Sequence, residues 1–159
     1  MATDSVAERI VEWIVTQLTT ICTADGYHND VDADDVIRPD RTGDGYAPVD
    51  NGIAVITGDL QRMPEHDFIG NPGALGWRLP VQIDWIVRRA ADDEESQDQL
   101  NLRAISDVLV ALSDITCGGL SINADAEEIT QGGIGAGQGV TVTWAVEFRT
   151  SENDPATQR

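Results

Sequence analysis

The chain has 159 residues, of which 28 are acidic and 10 basic, for a formal net charge of −18. Such a surface repels the phosphate backbone and argues against sequence-specific nucleic-acid binding. All ten basic residues are Arg, so any motif that needs Lys is excluded. The length suits one domain with a real core, and the composition is globular. No apolar run approaches the roughly 18 residues of a membrane span, and Met1-Ala2-Thr3-Asp4 does not read as the start of a signal peptide. Folding in a cytoplasm is the expectation.

Ser5-Val6-Ala7-Glu8 fits a capping box. Val6, Ile10, Trp13, Ile14, Leu18 and Ile21 follow at helical spacing, which predicts a helix from Val6 to Thr23. Gly26 is a stop signal. Val36-Ile37-Arg38 reads as a short strand ended by Pro39, and Ile53 to Thr57 as a second strand. Residues 59–78 hold Pro64, Pro72 and several glycines and read as a long irregular loop. That loop is unusually apolar, with Met63, Phe68, Ile69 and Leu75, so it must be covered by something; these four residues are the predicted interface.

Pro80 opens a strand that places Val81, Ile83, Trp85 and Val87 on one side and Gln82, Asp84 and Arg88 on the other. After Asp92-Asp93-Glu94-Glu95, apolar residues Leu102, Ile105, Val108, Leu109 and Leu112 predict a second helix over 94–116, stopped by Gly118-Gly119. Leu120 and Ile122 begin another strand. Val140, Val142, Trp144, Val146 and Phe148 alternate with polar residues in the last one. Half-buried alternation favours an antiparallel sheet. The expected fold is α+β: a mainly antiparallel sheet of about five strands, with two amphipathic helices packed on one face. Residues 1–150 form the single domain, and 151–159 read as a disordered polar tail.

The candidate chemistry is thin. The glycines from Gly132 to Gly139 precede a strand rather than opening a helix, so they read as a flexible hairpin loop and not a dinucleotide fingerprint. Asp40, Thr42 and Asp44, with Asp50 further on, resemble half of a calcium loop, but position twelve is Asn51 rather than Glu. Asp30, Asp32, Asp34 and Asp35 beside His28 read as a solvated acidic loop. His28 and His66 lack a second ligand at metal spacing. Cys22 and Cys117 read as reduced core residues. The expectation is no enzyme, no catalytic residue and no cofactor.

The element order resembles that of phage tail terminator and tail completion proteins, and of related neck proteins, across about residues 5–150. The resemblance lies in the amphipathic N-terminal helix, Gly26-Tyr27 leading to Asp35-Val36-Ile37-Arg38-Pro39, Pro80 to Val87 before the second helix, and the late strand Val140 to Phe148. It implies a virion structural protein assembled in the host cytoplasm. Such a protein forms a homo-oligomeric ring, commonly a hexamer, that caps the tail tube. Its partners would be the tail tube protein and a head–tail connector or head-closure protein. It also implies that the 59–78 segment is presented to neighbouring subunits. The alternatives are a head-closure or other neck connector protein of similar fold, and a small calcium-binding module using Asp40, Thr42, Asp44 and Asp50.

Overall fold

The computed structural model describes residues 4–39, 51–70, 73–135 and 137–158. Helix α1 spans Val6–Leu18, and Ser5 and Glu8 form the expected capping box. It ends earlier than its apolar periodicity suggests. Thr19 and Thr20 turn their hydroxyls back onto the carbonyls of Thr16 and Gln17, a local bond that competes with helix propagation. Helix α2 spans Gln97–Ala111 and starts at its own capping box, Ser96 with Gln99. The acidic run of 92–95 therefore precedes the helix instead of forming its first turn.

The sheet has seven strands: β1 Val36–Ile37, β2 Ile53–Thr57, β3 Gln61–Arg62, β4 Ala74–Ile86, β5 Asn123–Ile134, β6 Gly137–Ser151 and β7 Asp154–Gln158. The main order is β1-β2-β4-β6-β5, with β3 also paired to β4 and β7 to β6. Among the described residues, only β1 with β2 is parallel. The fold is thus α+β, with two strands more than expected. Strands β4 and β6 pair along the whole of β4, from Ala74–Ser151 to Ile86–Gly139. They are flanked by β2 and β5 at one end and by β3 and β7 at the other.

Both helices lie on one face, α1 against β1 and β2, α2 against β5 and β6. Ile10, Ile14, Leu18, Ile53, Ile83, Trp85, Leu112 and Phe148 are fully buried between the layers. At about 25 cal/mol per Å² of apolar surface removed from water, this cluster is the main source of stability. The alternation at 140–148 holds apart from buried Ala145, whereas over 81–87 it holds only at Gln82, because Asp84 and Ile86 are buried as well as Val81, Ile83, Trp85 and Val87.

Several expectations are corrected. Residues 154–158 are not a loose tail. They pair with β6 at Ser151–Asp154 and Thr150–Gln158, and Arg9 Nη2 donates to the Ala156 carbonyl at 2.9 Å. On α2, Leu102 is 52% exposed, whereas Asn101 and Asp107 are buried. The buried polar side chains are tolerated because they are bonded, Asn101 to Gln97 and Gln131. Asp84 is buried too, accepting from Gln82 and from the Thr141 hydroxyl at 2.7 Å. The glycines of 132–139 lie in a hairpin as expected, but its arms are paired and not a flexible loop. Gly132–Gly139, Gly133–Gln138 and Ile134–Gly137 are ladder pairs of the β5–β6 hairpin. Both cysteines are free, but only Cys117 is buried; Cys22 is half-buried.

Candidate assembly surface

The segment read as an irregular loop, 59–78, folds back on itself as a hairpin. Gln61 pairs with Arg78 and Arg62 with Trp77. Met63 N–H donates to the Gly76 carbonyl at 3.0 Å, and Phe68 and Ala74 exchange two backbone bonds of 3.0 Å each. A single turn of 3₁₀ helix, Pro64–His66, fills the gap. The approach is close because residue 76 is glycine: a Cβ there would stand 2.5 Å from the Met63 carbonyl oxygen.

Side chains lock this hairpin. Arg62 makes a two-pronged pair with Asp67, both bonds 2.9 Å. Its guanidinium carbon also sits 4.9 Å from the centre of the Trp77 ring, a cation–π arrangement. Asp67 accepts from Gly76 N–H at 2.8 Å as well. The Arg62 bonds first, then the Gly76 N–H, hold the Asp67 carboxyl down at about 2. Arg149 Nε donates to the His66 carbonyl at 2.6 Å, tying the hairpin to β6.

The sign of the pH effect follows from that depressed value. Asp67 contributes stability that is fully present above the ordinary carboxylate range and is lost as pH falls through about 2. A carboxyl ¹³C titration should therefore find Asp67 still ionised at pH 3, with the 61–78 amides unchanged. A midpoint near 4 would mean that the Arg62 pair does not form in solution.

The four predicted interface residues separate into two kinds. Phe68 is 61% exposed and Ile69 99% exposed. Met63 and Leu75 are half-buried. The structure brings Phe68, Ile69 and Leu75 together around a shallow pocket that Glu152 also borders. Met63 does not line that pocket, and its backbone N–H bonds the Gly76 carbonyl. Ile69 is thus left bare at the end of a braced stem.

The other candidates fare less well. Asp40, Thr42, Asp44 and Asp50 lie outside the described residues. In the acidic stretch beside His28, Asp30 accepts from Thr23 N–H and hydroxyl, and Asp32 caps the turn 33–35. These are local turn bonds. Among the described residues no three His, Cys, Asp or Glu side chains converge as a metal-ligand group. No described helix is long and apolar enough to cross a membrane.

Sequence reasoning missed the cluster around Asp107. This buried carboxylate on α2 accepts from the N–H groups of His28 and Asn29, from the Asn29 amide at 2.8 Å, and meets His28 Nδ1 at 2.9 Å. An Asp among the apolar residues of a helix was the available signal. The bonds to two successive backbone N–H groups mark it as an anchor for the loop after α1.

Comparison of the sequence with protein-family models and with curated proteins gives no match.

Proposed function

We propose that this chain is a structural virion protein that assembles into a homo-oligomeric ring, closes the end of a phage tail tube and joins it to the neck. The observation that carries this reading is the braced β3–β4 hairpin, which holds Phe68 and Ile69 out into solvent. The helix-first, mainly antiparallel architecture supports it. So does the charge: a ring through which DNA passes benefits from a wall that does not hold phosphate, and −18 per subunit supplies one. Screening reaches only about 8 Å at physiological salt, so the repulsion acts at the wall and leaves the channel axis free. The partners would be the tail tube protein on one side and a connector or head-closure protein on the other.

Antibody labelling of purified virions tests this placement. Signal at the junction of head and tail is expected; virions that lack the protein would overturn the reading. Phe68→Asp should leave the circular dichroism spectrum and melting temperature unchanged, because the side chain is exposed, while impairing assembly. Undiminished assembly of that variant would remove the hairpin from the interface.

A further inference from the structure

Beyond α1 the apolar face of the sheet is not fully covered. Ala7, Leu60, Trp77, Phe148 and Pro155 surround a pocket of about 230 Å³ whose walls are almost wholly apolar. Leu60 at its rim is 46% exposed. We propose that this pocket receives Ile69 of a second copy of the chain, so that each subunit offers a knob to one neighbour and a socket to the other. The inference rests on the ring reading and supplies its contact.

Two features of the charge distribution select a second copy as the occupant. Arg9 stands beside the socket, its Nη2 on the Ala156 carbonyl and its Nε buried without a partner. It meets no carboxylate among the described residues. Glu152 stands beside the knob, its carboxylate over Gly73, and meets no cation among the described residues. In a chain of net charge −18, contact between copies needs local relief from repulsion. A guanidinium at the socket and a carboxylate at the knob provide it across one contact. The acidic groups at the socket rim are engaged locally, Glu8 with Ser5 and Asp154 with Ala156 N–H and Thr157. Knob and socket are different patches of one subunit. The contact is therefore heterologous, the kind that closes into a ring when its rotation closes.

Native mass spectrometry and sedimentation velocity on the full chain test this with five variants beside the wild type. Ile69→Asp removes the knob and Ala7→Trp fills the socket; each should raise the concentration needed for assembly roughly tenfold or more. Leu102→Asp, on the exposed side of α2, should not change it. The exchange Arg9→Glu with Glu152→Arg should assemble better than Arg9→Glu alone, a recovery that mere damage to β7 would not give. A closed ring unaffected by Ile69→Asp and Ala7→Trp overturns the contact and leaves the ring reading standing. A two-fold dimer lost in both variants supports the contact and overturns the ring. A monomeric wild type at every concentration overturns both.

Discussion

Replacing Gly139 with alanine should separate β6 from β4 and cost the domain more than about 4 kcal/mol, the range reached only by severe steric or burial defects. A Cβ at 139 would stand 1.9 Å from the Trp85 carbonyl oxygen and 3.0 Å from the Ile86 Cα. These are backbone atoms of the neighbouring strand, so no rotamer change relieves the clash. Gly139 is the partner of Ile86 at the end of the longest ladder in the sheet, and Trp85 beside it is fully buried. Moving the strands apart would therefore also unpack the core. Gly133, six residues earlier in the same glycine-rich run, is a built-in control. A Cβ there meets nothing nearer than 3.8 Å, so Gly133→Ala should stay within about 0.5 kcal/mol of wild type in urea melts. Equal effects at the two positions would mean that the β4–β6 register is not the one described.

The second large effect is expected at Asp107. Asp107→Ala leaves the N–H groups of His28 and Asn29 without their acceptor and removes the contact to His28 Nδ1. Stranding partly buried donors should cost about 2–4 kcal/mol and lower Tm by roughly 5–15 °C. Asp107→Asn is the sharper test. It keeps the shape but turns an NH₂ toward donors, so it should recover only part of the loss. Hydrogen exchange should show the 26–31 loop opening first, while the β4–β6 amides stay protected. A variant as stable as wild type would reduce the cluster to surface decoration.

These two positions show what the sequence carries and what it hides. The capping box at Ser5 and the alternation over 140–148 are written in side-chain type, and each appears where the pattern places it. The hairpin 61–78 is written in backbone contact. Its ladder depends on Gly76 lying against Met63 and on Arg62 reaching Asp67 five residues on, and neither produces a periodicity. Prolines and glycines read as an irregular loop there because they usually interrupt ladders. Here Gly76 permits a close approach. Strand β7 is hidden for a related reason: Asp154-Pro155-Ala156-Thr157-Gln158 has no apolar alternation and is held by edge pairing and by Arg9.

The proposed assembly surface is only half legible in the sequence. The apolar content of 59–78 signalled a covered segment, but the choice among its residues needed the fold. Met63 and Leu75 are partly spent inside the subunit, whereas Phe68 and Ile69 are left outside. The socket between α1, Leu60 and β7 could not be seen at all, since it joins residues 5, 60, 77, 148 and 155. Arg9 and Glu152 gain their meaning only from that juxtaposition. In sequence they are two charges among many.

Native mass spectrometry of the wild-type protein across concentration and salt decides whether the subunit assembles by itself. Rising salt should favour assembly, because subunits of net charge −18 repel one another and screening weakens that repulsion while leaving an apolar contact intact. A discrete closed oligomer, six subunits if the resemblance to tail terminators extends to stoichiometry, should become dominant as salt increases. A protein that stays monomeric at every concentration and salt level would contradict the proposed ring.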